Sequence, residues 1–127
     1  MKETNISQLI RLAVSKFTSA TIFRNNVGTG WVGKIVKLKG GDIMIKDPRP
    51  LRAGLTVGSS DLIGWTEKTI TADMVGQKIA IFTAVEVKKP SGRATKDQIN
   101  FIKNVRESGG IAGVCKSGDE AVRLING

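Results

Sequence analysis

The sequence contains no histidine, no tyrosine and only one cysteine. The absence of histidine excludes a histidine general base or a histidine-ligated metal, and the absence of tyrosine excludes a tyrosine nucleophile. A single cysteine, Cys115, excludes an intramolecular disulfide and suits a reducing compartment. No apolar run reaches the length of a membrane span, and the N-terminal segment lacks the apolar core of a signal peptide. These absences predict a cytoplasmic protein that does not enter the membrane.

Positive charge is in excess. The 127 residues include 20 Lys and Arg against 11 Asp and Glu, which gives a formal net charge of +9. This length predicts a single domain over residues 1–127, large enough to bury roughly two-thirds of the surface that the unfolded chain exposes. The charge favours a polyanionic partner such as nucleic acid. The alternative is a basic protein whose charges only keep its surface solvated.

The first half of the chain predicts a helix followed by a hairpin. Apolar residues recur at three- and four-residue spacings from Ile6 to Phe17, which indicates an amphipathic helix beginning near Thr4 or Asn5. The segment KIVKLKGGDIMIK alternates apolar and polar residues around a glycine pair, which indicates a β-hairpin. DPRPLRAGLTVGSS is typical of a loop, and DLIGW and KIAIFTAVEVK are predicted as the next strands.

The second half of the chain predicts an α/β arrangement. After PSGRA the spacing becomes helical, with Thr95 and Gln98 as a capping box and a glycine pair at 109–110 as the helix end. IAGVCK is a predicted strand, and Ser117 with Glu120 fits a second capping box before a last helix. A strand, helix, strand passage requires a parallel pair. The predicted fold is therefore a mixed β-sheet flanked by helices, in the order helix, strands, helix, strand, helix.

A glycine-rich stretch, GTGWVGK, imitates a nucleotide-binding loop through Gly28, Gly30, Gly33 and Lys34. Such a loop must open a helix, whereas the residues that follow here alternate like a strand. We therefore expect a glycine-rich hairpin and no nucleotide cofactor.

Three polar residues could form a catalytic group. Residues two apart on a strand share a face, so Glu86 and Lys88 in VEVK project together, while Val85 and Val87 face the other side. If that other side is the core, Glu86 and Lys88 lie together at the open end of the strand. A second acid, Asp61, lies in GSSDLIG before another apolar strand. Two carboxylates brought close together bind a hard divalent cation, and an adjacent lysine stabilises a developing anion. The alternative is an ordinary ion pair at an exposed strand end and an acidic turn residue.

The surrounding sequence resembles a known family. GSSDLIG, VEVKKPSGRATKDQINFI and the upstream RNNVGTGW are similar to the VRR-NUC domain, the virus-type replication-repair nuclease module of the PD-(D/E)xK superfamily. The resemblance extends from about Glu3 to Asp119, and its parts occur in the family's order. It implies a restriction-endonuclease-like core and hydrolysis of phosphodiester bonds.

The resemblance assigns roles to individual residues. It implies that Asp61 and Glu86 bind the metal, that the backbone carbonyl of Val87 is a third ligand, and that Lys88 is the catalytic lysine. Gln98 matches a glutamine on the helix that follows the catalytic strand. The match is less direct at two further positions, Glu3 and Ser60.

Glu3 matches an acidic residue at the start of the first helix, although a carboxylate at a helix N-terminus is also favoured by the macrodipole. Ser60 replaces the proline that the family places before its first acid, which affects the expected loop geometry more than the activity. Gln98 also has a structural alternative, as the return half of the capping box with Thr95.

Other residues could contact nucleic acid or serve only structure. Residues 24–26, Arg-Asn-Asn, could contact phosphates or form a turn, since Asn beside glycine is a turn signal. Trp31 and Trp65 could stack on an unpaired base or pack in a core or an interface.

These features predict a Mg²⁺- or Mn²⁺-dependent DNA endonuclease with Asp61, Glu86, Lys88, Gln98 and Glu3 in its site. Free-standing members of the family resemble Holliday junction resolvases, so a homodimer acting on a branched, four-way DNA junction is expected. The alternatives are a less selective nuclease that nicks flaps or duplexes, an RNA-directed nuclease, and a basic DNA-binding protein without catalysis.

Overall fold

The computed structural model describes residues 2–127. These residues form three helices, six strands and two short 3₁₀ turns, at Lys39–Gly41 and Ala72–Met74. In chain order they are α1 (Glu3–Phe17), β1 (Ala20–Arg24), β2 (Gly28–Lys37), β3 (Ile43–Ala53), β4 (Leu62–Thr66), β5 (Thr83–Val87), α2 (Lys96–Glu107), β6 (Ile111–Cys115) and α3 (Gly118–Asn126).

The strands form three two-stranded sheets, in which β1 pairs with β4, β2 with β3 and β5 with β6. The predicted α/β class is confirmed, but the described strands do not join into the single mixed sheet that we expected. Among residues 2–127, no helix is both long and apolar enough to cross a membrane.

The residues group into two compact units. The first contains the chain up to Phe17 together with Thr21–Gly64, and the second contains Thr18–Ala20 and Trp65–Gly127. A single domain over residues 1–127 stays a prediction.

The first unit contains the long β2–β3 ribbon. The two strands are antiparallel from Gly28↔Ala53 to Lys37↔Ile43, so the predicted hairpin is confirmed. It is longer than expected, because β3 continues through Pro48 and Pro50, which we had predicted to lie in a loop. Proline lacks a backbone N–H and is tolerated where that group would point away from the partner strand, and both strands of a two-stranded ribbon are edges.

A bulge interrupts this ribbon at Gly33. The register shifts between Val32 and Lys34, so that two residues of β3 oppose one residue of β2. A Cβ atom at Gly33 would lie 2.6 Å from both Ile45 Cγ2 and the Lys46 carbonyl oxygen, which explains why glycine occupies this position. The GTGWVGK glycines are thus part of a strand, as the hairpin interpretation predicted.

The second unit contains the apolar core. Ile102 and Val105 of α2 and Ala112 of β6 are buried together, and Trp65, Phe82 and Ala84 pack against them. Cys115 is also buried, with 4% of its surface exposed. Trp65 is therefore a packing residue, with its ring centroid 4.8 Å from that of Phe82, whereas Trp31 in the first unit is 64% exposed.

The parallel pair predicted from the strand, helix, strand passage is present. β5 and β6 are parallel, from Thr83↔Ile111 to Val87↔Cys115, with α2 as their connection. The strand predicted over KIAIFTAVEVK is shorter than expected and spans only Thr83–Val87. The length of β5 is limited by its partner β6. The five residues of β6 lie between the glycine pair at 109–110 and the N-cap of α3.

Both helices of this unit begin at the predicted N-cap residues. Thr95 and Gln98 form a complete capping box at the start of α2, and Gly109, with φ of 94°, follows its end. At α3 the Ser117 side chain accepts a hydrogen bond from the Glu120 N–H. The return half differs from the prediction, because Glu120 Oε2 accepts from the N–H of Lys116 instead of Ser117.

Candidate active site

Glu86 lies near the end of β5, and Lys88 follows that strand directly. The Lys88 N–H donates to the Cys115 carbonyl oxygen at 3.1 Å, so the extended pairing continues to Lys88. Glu86 and Lys88 therefore share a face, and their side chains meet with Lys88 Nζ 3.4 Å from Glu86 Oε1. The predicted pairing of the two side chains is present in the structure.

The pair lies on the more buried face of β5. Ala84, Glu86 and Lys88 are half-buried, and Ala84 packs against the core. Val85 and Val87 are 37% and 75% exposed, so the condition that their side of the strand is the core is not met. The reason is that α2, the connection from β5 to β6, covers the Ala84 side of the strand, so the polar pair emerges at the edge of the helix-covered face.

Gln98 of α2 completes a three-residue cluster. Its Nε2 donates to Glu86 Oε1 at 2.9 Å, the same oxygen that the Lys88 ammonium approaches. The side chains of Glu86 and Lys88 are only 30% and 21% exposed, so this ion pair is better shielded than an ordinary surface pair. Because both donors converge on Oε1, Oε2 of Glu86 is left for a ligand, as far as the described residues show.

The two interpretations of Gln98 are compatible. Its Oε1 accepts from the Thr95 N–H at 2.9 Å, while its backbone N–H donates to Thr95 Oγ1 at 3.2 Å. One end of the amide thus caps the helix, and the other end contacts Glu86. The capping bond fixes which end of the amide faces the carboxylate.

The backbone at Val87 presents its carbonyl to the open edge of the sheet. The Phe82 carbonyl accepts from the Ile111 N–H, and the Lys88 N–H donates to the Cys115 carbonyl, so the even-numbered residues of this strand bond to β6. Backbone groups alternate along a strand, so the Val87 carbonyl points away from β6. Its oxygen is a hard donor beside Glu86, as a third metal ligand would be.

A pocket of about 420 Å³ opens beside Glu86 and Gln98. It is lined by Ala84, Val85, Glu86, Asp97, Gln98, Phe101 and Ile102. Asp97 is a second carboxylate on this pocket that the sequence reasoning missed. Its only sequence signal is its place in the first turn of α2, which the helix dipole explains equally well.

Two other predicted residues meet in the first unit. Glu3 and Asp61 line one pocket of about 240 Å³ together with Thr4, Ser7, Arg24, Asn25 and Asn26. The acidic residue of α1 and the acid before β4 thus share a pocket with a guanidinium group. This pocket is the more polar of the two, as expected for a place where charged side chains converge.

Asn25 holds the loop that leads to Asp61. Its Nδ2 donates to Ser59 Oγ at 2.7 Å and to the Ser60 carbonyl at 2.8 Å. Its Oδ1 accepts from the Leu55 N–H at 2.9 Å, and its own N–H donates to the Asp61 carbonyl at 2.8 Å. Of the two interpretations of this asparagine, the structural one agrees with its contacts, because its amide is engaged by the loop.

The carboxylates of the described residues do not form a dense cluster. Among residues 2–127, no group of three or more Asp, Glu, Cys or His side chains is placed to hold a metal ion. The donors that are available are carboxylate and carbonyl oxygens, which are the ligands that Mg²⁺ and Mn²⁺ prefer.

Comparison with known families agrees with these features. The sequence model of the VRR-NUC domain matches residues 23–119, which is most of the chain. The chain therefore belongs to the VRR-NUC family, and the resemblance of its motifs is confirmed. No curated protein and no solved structure matches it.

Membership identifies a nuclease of the PD-(D/E)xK type, a hydrolase whose substrate is DNA. Nucleases of this superfamily generally use divalent metal ions. Asp61, Glu86, Lys88 and Gln98 all lie inside the matched range, whereas Glu3 lies outside it.

Proposed function

We propose that this protein is a divalent-metal-dependent, structure-selective DNA endonuclease that acts on four-way junctions as a homodimer. The observation that carries the proposal is the convergence of Lys88 Nζ and Gln98 Nε2 on one oxygen of Glu86. A half-buried carboxylate, a lysine and a positioning amide at a strand end form a group with catalytic roles available to each member.

We assign the metal to Asp61, Glu86 and the Val87 carbonyl. The residues fit a hard cation, since Glu86 Oε2 and the Val87 oxygen have no partner in the described part of the chain and both are oxygen donors. When bound, Mg²⁺ or Mn²⁺ would offset negative charge on the phosphate and favour deprotonation of the attacking water.

The remaining roles belong to the side chains. Lys88 places an ammonium beside the reacting phosphate, where it stabilises charge that develops during attack. Gln98 keeps Glu86 oriented, and Glu3 contributes a further carboxylate near Asp61. Attack by water on phosphorus breaks the bond to the 3′ oxygen, so the products would be a 5′-phosphate and a 3′-hydroxyl.

Selectivity for branched DNA rests on symmetry. The matched domain covers residues 23–119, and we look for the source of selectivity in the shape of this domain or in the pairing of two copies. A two-fold dimer would present two active sites to a two-fold symmetric junction. The net charge of +9 supplies affinity that is independent of base sequence.

The proposal is tested by cleavage of three labelled substrates that share arm sequences: a four-way junction, a linear duplex and a 5′ flap. We expect paired, symmetric cuts in the junction with Mg²⁺ or Mn²⁺ and none with chelator. Cutting of all three substrates would retain the nuclease and contradict junction selectivity. Tight binding without metal-dependent cutting would indicate a DNA-binding protein.

A matched pair of variants tests the metal assignment. Glu86→Gln removes a ligand charge and should abolish metal-dependent cutting. Glu107→Gln makes the same charge change at an exposed residue that pairs with Lys103, and should cut like the wild type. Metal-dependent cutting by Glu86→Gln at the wild-type rate would contradict the assignment.

A further inference from the structure

We infer that one face of the β2–β3 ribbon binds the phosphate backbone of DNA. This basic face is defined by the side chains of Lys34, Lys46 and Arg49. The inference rests on the proposed function for the identity of the ligand, and it adds the surface on which that ligand is held.

The register of the ribbon places the three cations on one face. Lys34 and Lys46 are directly opposite each other, as are Val32 and Arg49. Because the bulge sets two residues of β3 against Gly33, these two cross-strand pairs follow each other on the same side of the ribbon. Arg49 therefore lies on the same face as Lys34 and Lys46, although it is three positions beyond Lys46 in the sequence.

This arrangement is unfavourable without a ligand. Like charges directly opposite on a sheet repel each other and destabilise the pair. Within residues 2–127, the ion pairs are Lys88 with Glu86 and Lys103 with Glu107, so none of the three cations has an acidic partner within 4.0 Å. A phosphate backbone would supply the missing negative charge.

The bulge also gives this face a concave shape. A hollow of about 490 Å³ is lined by Val32, Gly33, Lys34, Lys46, Asp47, Pro48 and Arg49. Asp47 is the only acid among them, so the lining carries three positive charges against one negative. All three cations are exposed.

The shape and chemistry of the ribbon favour duplex DNA as the occupant. A two-stranded β-ribbon has the dimensions that a DNA groove admits. The basic face carries no Asn or Gln side chain for reading adenine edges, and three exposed cations around an open hollow suit phosphate oxygens. Contacts of this kind position DNA without reading its sequence.

The inference is tested by fluorescence anisotropy of labelled duplex DNA in chelator, so that no cleavage occurs. Affinity is measured across salt concentrations for the wild type and for a triple variant, Lys34→Gln, Lys46→Gln and Arg49→Gln. Each lost phosphate contact lowers the slope of log K against log[salt] by about one. The triple variant should therefore lose about three units of slope, with the same effect on unrelated DNA sequences.

The control changes three cations of the same ribbon away from the basic face: Lys37→Gln, Lys39→Gln and Arg52→Gln. Lys37 and Arg52 project to the opposite face, and Lys39 lies in the connecting turn. Both triple variants lower the net charge equally. If DNA binds to the basic face, the loss of slope should be much larger in the variant of Lys34, Lys46 and Arg49 than in the control. Equal losses in the two, or an unchanged slope in the first, would overturn the inference.

Two further measurements keep the result interpretable. The single variant Lys46→Gln relieves the lysine repulsion, so it should fold at least as well as the wild type and lose about one unit of slope. An unchanged slope in this folded variant would also count against the basic face. Cutting of the junction by the wild type in Mg²⁺ is scored separately, so loss of the nuclease proposal and loss of the basic face give different results.

Discussion

The amide of Gln98 connects helix capping to the arrangement of the candidate active site. Its oxygen accepts from the Thr95 N–H, and its nitrogen donates to Glu86. A carboxylate that is held by a neighbouring amide has fewer orientations than a free one, so less order must be imposed when a ligand binds. Gln98 is therefore a positioning residue, and its effect should be seen in metal affinity as well as in rate.

Replacing Gln98 should affect catalysis more than replacing Thr95, its partner in the capping box. Gln98→Ala removes the bond to Glu86, and loss of such a partner costs roughly 10–100-fold in metal affinity or activity. Thr95→Ala removes the cap, at about 1 kcal/mol of stability, but leaves the Glu86 contact. Both variants are compared by single-turnover cleavage over a range of Mg²⁺ concentrations and by urea denaturation.

The expected result is a raised Mg²⁺ requirement in Gln98→Ala alone, with similar losses of stability in both variants. Equal loss of activity in both would mean that the cap, and not the contact with Glu86, is what the active site needs.

Local signals in the sequence were sufficient to predict most helices and strands and part of the candidate active site. The capping box at Thr95, the glycine after α2 and the two-residue spacing of Glu86 and Lys88 depend on neighbours in the chain, and the structure contains all three. The family resemblance included Gln98 in the site, but its contact with Glu86 was not predicted, because it depends on how α2 packs against β5.

Features that depend on distant partners were predicted less well. The proline-rich end of β3 looked like a loop because the unpaired edge that tolerates proline is visible only once β2 is in place. The length of β5 was overestimated because β6 limits it. The side of β5 that faces the core could not be decided from the sequence, since an alternating pattern does not say which face the helix covers.

At the level of the ribbon, the bulge can be tested by substituting glycines of β2. Gly33→Ala should destabilise the protein by about 1–3 kcal/mol, because the new Cβ would overlap Ile45 and the Lys46 carbonyl. Gly30→Ala places the same methyl group in open space on the same strand and should be neutral or slightly stabilising.

Urea denaturation of the two variants gives the comparison. A Gly33→Ala protein as stable as Gly30→Ala would show that the ribbon relaxes easily around position 33, which contradicts a rigid bulge.

For the whole molecule, DNA binding and hydrolysis are assigned to different residues. The net charge of +9 attracts DNA in general, and the basic face of the ribbon gives that attraction a location. The small cluster of Glu86, Lys88 and Gln98 would perform the hydrolysis. Loss of a surface cation should therefore weaken binding in a salt-dependent way, whereas loss of a cluster residue should reduce the rate of cutting with little change in binding.

The most direct test of the central claim is the single-turnover rate of junction cleavage by Lys88→Ala beside Lys89→Ala in saturating Mg²⁺. Lys89 is the next residue along and is exposed, so the two variants make the same charge change at neighbouring positions. We predict that Lys88→Ala cuts about 10²–10³-fold more slowly than the wild type, because it loses the cation beside the reacting phosphate. Lys89→Ala should retain most of the activity. Equal rates in the two variants would contradict the assignment of this cluster as the catalytic centre.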